Sequence, residues 1–304
     1  MTFGQFVEVY LNSMQPRLKP DTYAMKESVI THMITPFFKA AKVGEITPRD
    51  IAEWQNALLT MINPRTREKY RKSYLKTVHN QISAIFNFAV RYYGLKENPA
   101  RIVGNMGHEK EISINFWTRS EFERFAEAIM DKPISYYAFE VLYWGGLRLG
   151  EMLALTPNDV DLKTHTISIT KTYYRLNGED YITSPKTPKS VRTVNIPKFL
   201  VEELADYIRS LGDINSDDRL FPVGKSYIEA EMKRGCKLAG LKKIRVHDLR
   251  HSHVSLLINM GFDAVSIAER TGHESIDITF RYAHMFPSVQ KDMAKKLNDL
   301  RLER

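Results

Sequence analysis

Apolar positions along the chain fall into two periods, and the period changes mark the elements. Leu75, Val78, Ile82, Ile85, Phe86 and Ala89 recur at three- and four-residue spacing, which predicts an amphipathic helix with one buried face. "TFGQFVEVYLNSM", "KPDTYAMKESVITHMITPFF" and "TPRDIAEWQNALLTMI" predict shorter helices, the last with a Thr-Pro entry suited to a helix start. Residues 1–100 therefore read as a small all-helical domain. The stretch "ENPARIVGNMGHEKEISIN" is polar, holds Pro99 and two glycines and shows no periodicity; it predicts an interdomain linker over 101–115.

A second domain, 116–304, opens at "TRSEFERFAEAI", where Thr118 and Glu121 have capping-box spacing. In "SYYAFEVLYWGGLRLGEMLAL" a helical pattern breaks at Gly145-Gly146 and resumes after Gly150. "THTISITKTYY" alternates and is rich in β-branched residues, which predicts a strand; "LNGED" supplies an Asn-Gly turn. "YITSPKTPKSVRTVNIP" predicts two strands joined by a Pro- and Lys-rich turn, and helices follow Pro197. The expected fold is mainly α with a small antiparallel β-sheet, in two domains, the first all-α and the second α+β.

Charge changes this picture by region. The 304 residues carry 44 Lys+Arg against 36 Asp+Glu. The first 105 hold 15 against 8, a net +7, and the remainder 29 against 28. The excess is densest in "RTREKYRKSYLK", which holds Arg65, Arg67, Lys69, Arg71, Lys72 and Lys76 with one acid. Such a basic entrance to an amphipathic helix is the candidate face for a polyanion such as DNA. Cys236 is the single cysteine, so no intrachain disulfide or multi-cysteine zinc site forms. No secretory signal or run of 18 apolar residues occurs, which points to a soluble intracellular protein without a membrane partner.

The chemistry concentrates in the second domain. "VHDLRHSHVS" sets His247 and His251 four apart, the spacing of a zinc helix. Asp248 stands where that motif needs glutamate, Arg250 shares the neighbourhood, and no acidic third ligand follows within a turn; a cation close to a dication is unfavourable. A phosphate clamp made of His247 and Arg250 suits the residues better. Arg148 sits among Gly145, Gly146 and Gly150, with Glu151 three residues on to orient it. His273 follows Gly272, and Tyr282 lies nine residues later.

Together these stretches resemble the tyrosine recombinase family, specifically phage and conjugative-transposon integrases. "GGLRLGEMLAL" resembles the first arginine box, "HDLRHSHVSLLINMG" the H-x-x-R box, "TGHESIDITFRYAH" the last histidine and nucleophile, and "SPKTPKSVRTV" the lysine hairpin. The resemblance implies a DNA-integrating or excising strand transferase acting through a 3′-phosphotyrosyl link, without metal or other cofactor. It implies Tyr282 as nucleophile, with Arg148, Arg250 and His273 stabilising the phosphate. Lys186, with Lys189 as its rival, would protonate the leaving 5′-oxygen, and His247 would accept the tyrosine proton. His251 and His253 are left to support or packing.

The implied partners are double-stranded core DNA sites and a directionality factor. The implied assembly is a homo-tetramer on DNA, with the amphipathic "PSVQKDMAKKLNDLRLER" docking on a neighbour, in the bacterial cytoplasm at the nucleoid. Many such integrases carry a small arm-site-binding domain upstream; the first residues here already resemble the core-binding domain. A type IB topoisomerase-like relaxation activity, or DNA binding without chemistry, are the alternatives.

Overall fold

The computed structural model describes residues 1–107, 115–185, 187–275 and Tyr282, and the chain divides into two units, Met1–Ile112 and Ser113–Arg304. The first unit is helical: α1 (Phe3–Met14), α2 (Pro20–Val29), α3 (Thr35–Phe38), α4 (Pro48–Thr60), α5 (Lys72–Tyr92) and α6 (Pro99–Val103). One π-helical turn, Ile30–Ile34, joins α2 to α3. Capping boxes start α1 at Thr2 with Gln5 and α4 at Thr47 with Asp50, so the first free N–H groups find acceptors locally. The stripe of α5 predicted from periodicity is wholly buried, against Phe3, Ile30, Ile34, Trp54 and Leu58 among others. Each such side chain withdrawn from water contributes roughly 1.5–3 kcal/mol.

Two local expectations change here. The basic stretch is mostly a loop before α5, closed by an Ile62–Lys69 bridge, with Arg67 at φ 60°. Arg65, Arg67, Lys69, Arg71 and Lys72 are exposed there, and Lys76 is half-buried. The first residues of the predicted linker instead form α6. Asn98 caps it and donates to the Ser83 carbonyl (2.9 Å) and Asn87 Oδ1 (2.9 Å), which pins it to α5.

The second unit contains α7 (Arg119–Ala128), α8 (Pro133–Trp144), α9 (Leu149–Leu153), α10 (Lys198–Ser210), α11 (Lys225–Ala239), α12 (Asp248–Asn259) and α13 (Ala264–Thr271). Its core gathers Phe122, Phe125, Phe139, Tyr143, Leu204 and Phe221, with Phe122 stacked on Tyr143 at 3.8 Å. The expected single sheet is two. Strands β1 (Val160–Asp161), β2 (Thr166–Ile169) and β5 (Arg192–Asn195) pair antiparallel in the order β1-β2-β5, and β3 (Thr172–Leu176) pairs with β4 (Glu179–Thr183).

"THTISITKTYY" breaks at Lys171, whose ammonium is drawn to Asp159 (2.9 Å) and Thr156 Oγ1 (3.1 Å). Pro185 and Pro188 lie between β4 and β5, which join different sheets instead of one another. The Asn-Gly turn forms as expected, with Asn177 and Gly178 both at positive φ. Lys186 and the segment "PSVQKDMAKKLNDLRLER" lie outside the described residues.

Candidate active site

The glycine-rich break between α8 and α9 is the first wall of the site. Gly146 takes φ 65°, and a Cβ there would lie 2.4 Å from the His253 ring. That close approach and the positive φ both demand glycine. The turn delivers Arg148 to the N-cap of α9, where its N–H donates to Glu151 Oε2 (3.0 Å).

The second wall is the C-terminal end of α13. A helix end leaves carbonyls without intrahelical donors and is the negative pole of the helix dipole. Three consecutive carbonyls there each accept from a different arginine. Arg192 Nε donates to Arg270 O (2.9 Å), Arg250 Nη2 to Thr271 O, and Arg148 Nη2 to Gly272 O (2.9 Å). Gly272 closes the helix at φ 62°, packed against the Lys189 carbonyl. Arg250 also donates to Gly146 O (2.8 Å), so it bridges the two walls.

Glu151 completes the frame. It pairs with Arg148 (2.6 Å) and Arg192 (2.9 Å). Burial pushes its carboxyl up, but the Arg192 hydrogen bond and the Arg192 and Arg148 charges outweigh this and hold it below the ordinary value. One carboxylate thus pairs with two guanidiniums, and among the described residues Arg250 makes no ion pair with an acid, although the Glu151 charge reaches it. Burial, then the Arg148 charge, lowers the Arg250 guanidinium to about 9. Arg250 is buried, whereas Arg148 stays about a third exposed. Three guanidiniums against one carboxylate leave a net cationic hole whose forks match phosphate oxygens.

Two histidines beside this hole, His273 and His247, are held neutral. His273 is buried and lowered to about 3, by burial and then by Arg250 and Arg148. His247 stands before the first turn of α12, not inside it. Crowding by protein, then His251 and Arg250, lowers it to about 4, although one side of the residue is open to a cleft of about 640 Å³ shared with Tyr173, Tyr174, Lys225 and Arg245. The Tyr282 hydroxyl meets His251 Nδ1, not His247, and its ring is buried with Val254, Ile258 and Ile267. Lys189 is exposed and donates to the Glu274 carbonyl (3.0 Å). Among the described residues, no group of three or more His, Cys, Asp or Glu is arranged to hold a metal.

Sequence reading thus missed Arg192, Arg270 and the contact of His251 with Tyr282. Arg192 had a signal, since it shares the inward phase of β5 with buried Val194. Arg270 had none. Its side chain reaches His253 Nε2 (3.0 Å), Asn195 O (2.8 Å) and Trp144 O (3.2 Å), all distant in sequence. His253, left to support or packing by the sequence, is buried with its ring against Gly146.

The buried histidines carry a pH consequence. His253 and His273 are both lowered to about 3 from 6.5, so below about pH 6.5 the unfolded chain binds protons that the fold refuses. Stability is therefore full above that value and is lost as pH falls, by up to about 1.4 kcal/mol per pH unit and per histidine. The melting temperature of the DNA-free protein should drop between pH 7 and 5.5, with a shallower slope for His253→Gln. A flat profile over that range would refute this account.

Comparison with known proteins matches this architecture. Residues 115–288 fit the Phage integrase family, and residues 2–59 fit the phage integrase N-terminal SAM-like domain. The chain is 32% identical to the ICEBs1 integrase of Bacillus subtilis (strain 168), over 99% of this chain and 83% of that one. Its fold is similar to the Tn1549 transposon integrase solved with transposon right end DNA (TM-score 0.77, 19% identity, 100% of both chains). It is also similar to a lambda integrase dimer bound to a COC′ core site (TM-score 0.67, 17% identity, 93% and 95% of the chains).

Proposed function

Because the chain belongs to the phage integrase family, we propose a residue-by-residue account of the reaction that this membership brings. The chain is a site-specific tyrosine recombinase that serves a mobile element and acts on DNA. Neither topoisomerase-like relaxation nor DNA binding without chemistry is favoured by these likenesses. The observation that carries the account is the Tyr282 hydroxyl held against the His251 imidazole, one helical turn from the buried Asp248 and adjacent in sequence to the buried Arg250.

In this reading a scissile phosphodiester enters the cationic hole. Arg148 and Arg250 hold its non-bridging oxygens, and His273 and His247 face the same group as neutral imidazoles. The Tyr282 oxygen attacks phosphorus in line, the P–O5′ bond breaks, and a 3′-phosphotyrosyl link conserves the bond for rejoining. Lys186, or Lys189 in its stead, protonates the departing 5′-oxygen. Charge developing on the equatorial oxygens meets donors already in position, so little reorganisation accompanies the step.

Arg65, Arg67, Lys69, Arg71, Lys72 and Lys76 bind the duplex backbone, a role supported by the exposure of five of them on one loop and helix entrance. Assembly is a tetramer on two core sites, with "PSVQKDMAKKLNDLRLER" docking on a neighbouring copy and a directionality factor selecting integration or excision. The test is a nicked suicide duplex cut from the ends of the element that encodes the chain. Wild type should form a covalent protein–DNA adduct in EDTA and yield joint molecules from two sites. Absence of any adduct, or plasmid relaxation with no joint product, would sink the account.

A further inference from the structure

We propose that His251 is a catalytic residue: the base that takes the Tyr282 proton during cleavage and returns it during rejoining, oriented by Asp248. The proposal rests on Tyr282 being the nucleophile, as above. Its own ground is geometric. Nδ1 of His251 meets the Tyr282 hydroxyl, while Nε2 on the other side of the ring faces Asp248 Oδ1 at 3.8 Å. Asp248 is almost fully buried and is itself fixed, accepting from the Arg245 backbone N–H (2.8 Å) and from Arg245 Nε (3.0 Å) and Nη2 (2.6 Å).

A carboxylate on one side of an imidazole and a hydroxyl on the other is the arrangement that sets a tautomer. In this proposal the protonated nitrogen lies on the acid's side, drawn by its charge across 3.8 Å, beyond hydrogen-bond reach, and the bare nitrogen faces the hydroxyl. Among the described residues, the groups facing His251 include Asp248 and His247 from its own helix end, Tyr282, and, further off, His273. His247 meets His251 edge-on at 5.1 Å between ring centres, one ring removed from the hydroxyl, and keeps its open side on the cleft. That division leaves His247 to the phosphate and His251 to the nucleophile.

The step balances. The Tyr282 O–H proton moves to Nδ1 of His251, the tyrosine oxygen bonds to phosphorus, and P–O5′ breaks. The 5′-oxygen takes a separate proton from the lysine side. On rejoining, the 5′-hydroxyl returns its proton to that lysine and bonds to phosphorus, the P–O bond to Tyr282 breaks, and His251 hands its proton back to the departing tyrosine oxygen.

The full-length chain is tested for single-turnover adduct formation on the suicide duplex, alongside DNA affinity by gel shift. His251→Ala should slow cleavage about 10²–10⁴-fold, the range of a lost general base, with DNA affinity kept. His251→Gln, which keeps a hydrogen-bond acceptor but cannot take a proton, should be as slow. Added imidazole should restore part of the rate in His251→Ala. Difluorotyrosine at position 282, a more acidic phenol, should narrow the gap between variant and wild type.

Wild-type rates in either variant would overturn the proposal. So would slow cleavage that neither imidazole nor difluorotyrosine improves, since that result marks a packing role. Should the alanine variant fold poorly, glutamine with difluorotyrosine decides alone. A wild-type chain that forms no adduct would instead overturn the nucleophile assignment, so the two failures are distinguishable.

Discussion

Tyr282→Phe should form no covalent adduct with a nicked suicide duplex while shifting that duplex on a native gel as wild type does. The variant isolates one atom. The ring is buried against Val254, Ile258 and Ile267, and phenylalanine fills the same space, so the packing survives. What is lost is the hydroxyl at His251 Nδ1. The arginine frame does not depend on that hydroxyl, because Arg148, Arg192 and Arg250 hang on the carbonyls of residues 270–272 and on Glu151. Loss of a nucleophile in covalent catalysis removes on the order of 10⁶ in rate, so adduct should fall to background on a denaturing gel. Adduct formation by the phenylalanine variant at the wild-type level would remove Tyr282 from the reaction.

Arg250→Ala should lower single-turnover cleavage by about 10²–10³-fold, the loss expected for one preorganised donor at a developing charge. It should change the melting temperature far less. The two effects separate because Arg250 sits where the fold gains little from it. Its removal strips donors from the Gly146 and Thr271 carbonyls, each worth roughly 1–3 kcal/mol if left unsatisfied. It also removes a buried cation disfavoured by burial and by the Arg148 charge and only partly offset by Glu151, which is unfavourable until an anion arrives. These terms oppose each other in the free protein and act together only in the DNA complex.

Arg250→Lys should do little better than alanine, because an ammonium cannot reach two carbonyls and fork onto a phosphate. Thermal melts with and without DNA check the argument. The gain in melting temperature on binding should shrink in both variants, and cleavage at the wild-type rate by Arg250→Lys would disprove it.

Much of this was legible along the chain, because the forces concerned act over a few residues. The buried stripe of α5 follows from apolar spacing, the start of α4 from its Thr-Pro entry and that of α7 from the Thr118–Glu121 capping box. The Gly145-Gly146 break, the Asn-Gly turn and the positions of Arg148, His247, Arg250, His273 and Tyr282 could be marked before any contact was known. Their roles are set by residue type and by resemblance. The split of one expected sheet into two was not legible, since Lys171 leaves the strand pattern for Asp159, a partner brought close by the fold.

The site's working geometry belongs to the tertiary structure alone. Arg148 meets Gly272 across 124 positions, Arg250 meets Gly146 across 104, and His251 meets Tyr282 across 31. No local rule predicts that three carbonyls at one helix end will each receive a different arginine, or which of two histidines on one short stretch will reach the tyrosine. The sequence by itself determined which groups are available: cations, imidazoles, a phenol and the glycines that let backbones approach. Only the packed fold decided how those groups are aimed, because direction depends on distant segments that burial of their apolar faces brings together.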